Sequence, residues 1–112
     1  MTRHARVSAE LTGLRAEQLR DAEMLAGLLI AAAGAAGFNS LGIPNVRRRP
    51  DGAVDAALLL DEAHLVVHAL PSLGLLVLDF LAPSAHDLSK ALDVFTRRLN
   101  PKKVHADTRA RG

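Results

Sequence analysis

Three apolar runs, Ala56 to Leu60, Leu65 to Ala69 and Leu73 to Leu81, follow one another with spacers of only a few residues. Each run has the length of a strand, and Pro71-Ser72 with Gly74 separates the last two. Parallel neighbours need a crossover of about a dozen residues or more, so spacers this short predict adjacent antiparallel strands. The runs are also nearly continuous in Leu and Val, the pattern of strands that are covered on both faces.

The flanking segments supply the cover. Asp21 is placed as a helix N-cap, and Leu25, Leu28, Leu29, Ala32, Ala33 and Ala36 behind it repeat at the spacing of one buried helix face, with Gly37 as the stop. A second helix is predicted from Asp87 to Leu99. Its stripe is Leu88, Ala91, Leu92, Phe95 and Leu99, and Asn100-Pro101 ends it. Arg3 to Leu11 alternates weakly as a strand, Asn39 to Arg49 reads as an irregular strand interrupted by Gly42 and Pro44, Pro50-Asp51-Gly52 is a turn, and Lys102 to Asp107 is a final edge strand. The order β-α-β-β-β-β-α-β predicts an α+β fold. It is a two-layer sandwich, an antiparallel sheet with two helices on one face, and a single domain spanning 1–112.

Composition removes several function classes. With no cysteine there is no thiolate zinc site, disulfide framework or cysteine nucleophile. With no Trp or Tyr and only Phe38, Phe80 and Phe95, there is no platform for stacking bases, and a net charge of +2 is no nucleic-acid signature. No apolar run approaches the roughly 20 residues of a membrane span, and no basic segment leads directly into an apolar one at the N-terminus. A soluble cytoplasmic chain is the expectation.

The stretch Asp61-Glu62-Ala63-His64-Leu65-Val66-Val67-His68-Ala69-Leu70-Pro71 resembles the processing-site motif of bacterial S-adenosylmethionine decarboxylases, which runs roughly Ser-Glu-Ser-His-(apolar)-(Ser/Thr)-Ile-His-Thr-Trp-Pro-Glu. The likeness extends along the chain: the helix from Asp21 with its Gly37, Gly74 and Asp79 in the run after the motif, the second helix, and the ending Val104-His105 then Arg111-Gly112. Members of that family cut their own backbone before the motif serine. The hydroxyl attacks the preceding carbonyl, elimination splits the resulting ester, and release of the residue's own nitrogen by hydrolysis leaves a pyruvoyl group that serves as electron sink. The resemblance thus implies decarboxylase ancestry, paired protomers and a link to polyamine and spermidine metabolism.

The residue at the serine position is Ala63. A methyl group cannot start the acyl shift, so no pyruvoyl cofactor is expected and no catalytic residue is assigned. Other family positions depart as well. The catalytic cysteine falls on Pro83, the Trp and Glu around Pro71 are Leu70 and Ser72, the tyrosines flanking Gly74 are Leu73 and Leu75, and Arg47, Arg48 and Arg49 lie where a phenylalanine packs on adenine. The degenerate positions are Ala63, His68 and Pro83. Weak binding of adenosylmethionine, or none, is the consequence.

Glu62, His64, His68, Asp79 and Arg48 are the ligand-binding candidates. His68 matches the family histidine that assists ester elimination, and its ordinary alternative is a plain sheet histidine. His64 and His68 share a strand face but lie too far apart to chelate a metal without a third ligand, so no metal site is expected. The arginine triplet suits an anion or a solvated edge. The first functional reading is a catalytically inactive, dimeric ligand-binding or regulatory module, paired with itself or with an active paralogue. Its rivals are an enzyme of different chemistry using His68, Asp79 or Glu62, and, last, a small basic nucleic-acid binder. Pairing is expected through the sheet: two helices cover one face, while Leu65, Val67, Leu73, Leu75 and Val77 are divided between two faces. A charge at Val67 or Leu75 is accordingly expected to break the dimer.

Overall fold

The computed structural model describes residues 4–39 and 42–111, with side chains described through Arg109. Arg3, Ser40, Leu41 and Gly112, which fall within expected elements or motifs, lie outside the described residues. The elements are β1 (His4–Thr12), α1 (Ala16–Leu19), α2 (Ala22–Ala35), β2 (Asn45–Arg48), β3 (Val54–Leu60), β4 (Ala63–Leu70), a 3-10 turn (Pro71–Leu73), β5 (Leu75–Pro83), α3 (Leu88–Leu99) and β6 (Lys103–Arg111). The strands form one antiparallel sheet in the order β2-β3-β4-β5-β1-β6. The expected α+β sandwich is therefore present, with one addition: the single turn α1, too short to show helical periodicity in the sequence.

Both long helices begin on an aspartate. Asp21 accepts a hydrogen bond from the Met24 N–H at 3.1 Å, and Asp87 accepts one from the Ser89 N–H at 3.0 Å; each satisfies an otherwise orphaned donor of the first turn. Asn100, with φ 50, closes α3 in the left-handed conformation that ends many helices. The helices are tied at one end, where the Asp87 N–H donates to the Ala36 carbonyl at 3.3 Å and the Phe38 and His86 rings stack at 3.7 Å.

Strict alternation divides the sheet. Val7, Ala9 and Leu11 of β1, Val54, Ala56 and Leu58 of β3, Leu65, Val67 and Ala69 of β4, and Leu76, Leu78, Phe80 and Ala82 of β5 are all buried on the helix side. They meet Leu25, Leu28, Leu29 and Ala32 of α2 and Leu88, Ala91, Phe95 and Leu99 of α3 in one core. Phe80 and Phe95, both fully buried, touch with ring centroids 5.9 Å apart. Gly74 has φ +59, and a Cβ there would come within 2.9 Å of the Leu14 carbonyl, so only glycine joins the 3-10 turn to β5 this closely.

The opposite, open face is more mixed than the apolar runs suggest. Across it lie Ala57, Val66, Val77 and Leu81, but also Arg6, Ser8, Glu10, Asp55, His64, His68 and Asp79. Val67 belongs to the core, with no exposure, and Leu73 stands 68% exposed on the 3-10 turn. Of the residues expected to divide between the two faces, Leu75 and Val77 are the ones on the open side. A charge at Val67 therefore probes the fold rather than any interface. We expect Leu65→Ala to lower unfolding free energy by about 2–5 kcal/mol in urea titrations, and Val67→Asp to abolish the cooperative transition, whereas Leu75→Asp leaves it in place.

Candidate functional site

The tight turn Asp61–Glu62 sets Leu60 opposite Ala63, and the register that follows sets Asp55 opposite His68 on the open face. Asp55 Oδ1 and His68 Nδ1 are 2.8 Å apart. An ionised carboxylate only accepts, so Nδ1 carries the proton and Nε2 is the nitrogen turned away from Asp55. The other carboxylate oxygen faces Arg49, whose Nε lies 3.5 Å away, shielded from solvent and without a hydrogen bond. Beside this chain of Arg49, Asp55 and His68 is a cavity of about 270 Å³, with Ala57 and Val66 as small apolar lining and Asn45 and Arg47 on the β2 side.

A second cluster sits one strand over. Asp79 of β5 lies opposite Ser8 of β1 and Val66 of β4. Arg6 grips it with both arms of its fork, Nε to Oδ1 and Nη2 to Oδ2 at 2.9 Å each, and His64 Nε2 stands 3.6 Å from Oδ2. The hydrogen bond from Arg6 is the largest cause that holds the Asp79 carboxyl below its ordinary range. Partial desolvation opposes it, and the positive charges of Arg6 and His64 add to it. The same bond raises the Arg6 guanidinium.

The sequence candidates thus fall in four places. His64 and Asp79 meet, with Arg6. His68 meets Asp55 rather than any of the other candidates. Glu62 is exposed alone at the hairpin turn in a left-handed conformation, φ 55, and Arg48 points to the helix side of β2, where it lines a cavity with Ala22, Glu23 and Ala26. Ala63 is 7% exposed and packs into the core under the helices. His68 is five residues farther along β4 on the opposite face, roughly 16 Å of extended chain away. Pro83 ends β5 beside the hairpin end of the sheet, since Leu81 pairs with His64. No group of three or more metal-ligating side chains occurs among the described residues.

Asp55, Arg49 and Arg6 complete these clusters and were not among the sequence candidates. For Asp55 a signal existed: the two-residue turn alone dictates that it faces His68. Arg6 needs the β1–β5 pairing, which links segments 73 residues apart, and no local pattern gives that.

The Arg6–Asp79 pair makes a pH prediction. A carboxyl whose folded value is lowered contributes stability that is present above its unfolded value, about 3.9, and that is lost as pH falls through the folded value. Arg6→Gln should move the Asp79 titration, followed by carboxyl-carbon NMR, upward toward the ordinary range. It should also shrink the stability gap between pH 6 and pH 2 relative to the parent chain.

A sequence profile described as S-adenosylmethionine decarboxylase matches residues 5–112. The S-adenosylmethionine decarboxylase proenzyme of Brevibacillus brevis is 33% identical over 107 residues, covering 95% of this chain and 80% of that protein. The proenzyme of Aquifex aeolicus is 27% identical, covering 95% and 78%. The crystal structure of the adenosylmethionine decarboxylase from Aquifex aeolicus superposes with a TM-score of 0.85 at 24% identity, over 99% of this chain and 92% of that one, and shares the fold. On this profile match and these identities, the chain belongs to the S-adenosylmethionine decarboxylase family.

Proposed function

We propose that this chain is a non-processing member of its family that works, as a dimer, as a ligand-binding or regulatory module beside polyamine metabolism. The observation that carries the reading is Ala63. The motif His64-Leu65-Val66-Val67-His68 sets it where the family resemblance puts the serine whose hydroxyl would start the acyl shift that leads to the pyruvoyl group. The pyruvoyl group fails the test of fit here. Position 63 has no oxygen, its methyl is packed under the helices, and the retained His68 lies on the other face of the sheet. No step of a pyruvoyl mechanism is therefore derived for this chain.

What its residues can do is bind. The open face offers two aspartates with fixed hydrogen-bond partners, two imidazoles and the small apolar floor between them. Val77, Leu81 and Leu75 supply the apolar part of a surface on which a second copy, or an active paralogue, would lie sheet to sheet beside that floor. An interface of about 800 Å² per partner is the size such a pairing needs. The charged outer strands would then form the rim and these β5 residues the centre. Among the described residues no helix is long and apolar enough to cross a membrane.

A second reading, an enzyme of non-pyruvoyl chemistry, draws on the Asp55–His68 pair, since a carboxylate on Nδ1 is the arrangement that orients a histidine base. Among the described residues no nucleophile or oxyanion donor accompanies it, so it ranks second. The nucleic-acid reading loses its main support because Arg47 and Arg48 project to opposite faces of β2.

Mass spectrometry of the purified chain should give one species at the full mass of 11.9 kDa, with no carbonyl reactive toward hydrazide. Fragments divided between Glu62 and Ala63 would defeat the proposal. Ala63→Ser should release no carbon dioxide from adenosylmethionine. In sedimentation at micromolar concentration the parent should run as a dimer and Val77→Asp as a folded monomer; a monomeric parent would remove the pairing from this reading.

A further inference from the structure

The cavity beside His68 has an unusual charge arrangement. By register Arg47 stands opposite Asp55, the position from which a cross-strand ion pair would form. Asp55 does not form it. One of its oxygens is taken by His68 at 2.8 Å and the other faces Arg49 at 3.5 Å. Arg47 enters no ion pair among the described residues, and it lines the cavity together with Asn45. Arg47 and Arg49 against the single carboxylate of Asp55 leave the cluster with an excess of positive charge. The floor is Ala57 and Val66, flat and apolar, and the volume of about 270 Å³ suits a ring-sized body.

We infer that this cavity takes a small monocarboxylate with a compact apolar body. The Arg47 fork would hold the carboxylate, because a planar guanidinium matches two oxygens at once. The body would rest on Ala57 and Val66, and the Nε2 edge of His68, whose ring Asp55 orients, would bound it on the far side. Asp55 contributes orientation rather than attraction, since both its oxygens face cationic or donor groups within the cluster. A compact ammonium compound, by contrast, would meet uncompensated arginine charge at the same rim. This assignment rests on the ligand-binding reading above and narrows it to a chemical class.

The test uses the full chain and two probes with the same ring, benzoate and benzylammonium, with adenosylmethionine as a third. Backbone amide shifts are followed by heteronuclear NMR. Benzoate should shift the amides of Asn45, Arg47, Ala57 and His68 saturably, and benzylammonium should not. Arg47→Gln, an exposed edge-strand change, should weaken benzoate by roughly fivefold or more. Asp55→Asn should strengthen it by removing the one negative charge; should that variant fail to fold, the Arg47 variant and the probe pair still decide. Binding of benzylammonium at these amides as tight as benzoate overturns the inference. If adenosylmethionine moves these amides and benzoate does not, the compact apolar monocarboxylate is overturned while ligand binding stands. If none of the three moves them, both fall. A source in the second copy is separated by sedimentation: an Arg47→Gln chain that loses dimerisation while binding benzoate like the parent would show that Arg47 serves a partner's side-chain carboxylate, and this too overturns the inference.

Discussion

One side of the sheet must be dry. A strand alternates its side chains, so covering one face with α2 and α3 commits every second residue of β1, β3, β4 and β5 to the core and presents the rest on the other side. Phe80 against Phe95 fixes where α3 crosses the sheet, and the aliphatic residues around them set the distance between layers. From that follow the positions of all the polar groups that matter. His64, His68, Asp55 and Asp79 share the open face because their neighbours Leu65, Val67, Val54 and Phe80 could not be anywhere but beneath the helices.

The same alternation bears on Ala63. Positions 63 and 68 are an odd number of residues apart in one regular strand, so their side chains project to opposite faces. A one-residue slip of β4 would exchange them, and would also turn Leu65 and Val67 out to solvent. The packed core therefore keeps position 63 inside and away from the imidazole. A serine at 63 would be a hydroxyl in an aliphatic environment, in need of a hydrogen-bond partner.

Much of this architecture could be read in the sequence because the signals were local. The helices announce themselves through an aspartate cap, a repeated apolar stripe and a stop at Gly37 or Asn100. The central strands show as apolar runs. What misled was reading those nearly continuous runs as strands covered on both faces: with His68 and Asp79 inside them and Asp55 and His64 at their starts, the open face is a mosaic, and Val67 cannot belong to it. The edge strand β2 proved to be Asn45–Arg48, shorter than the expected segment, because Pro44 lacks the N–H a longer ladder would use. The clusters were half visible. Hairpin register follows from a turn of two residues and gives Asp55 with His68, while Arg6 with Asp79 depends on a pairing between distant segments that only the closed sheet defines.

The stack of Phe38 on His86 joins the end of α2 to the start of α3, with ring centroids 3.7 Å apart and planes 5° from parallel. A ring held that way shields the protons above it, so the His86 carbon-bound protons carry a ring-current signature of the helix layer alone. In a protein without tyrosine or tryptophan, where the usual fluorescence reports nothing, that resonance distinguishes separation of the two helices from loss of the sheet. Local opening of the layer would then register in one proton signal while the amides of β4 and β5 stayed protected from exchange.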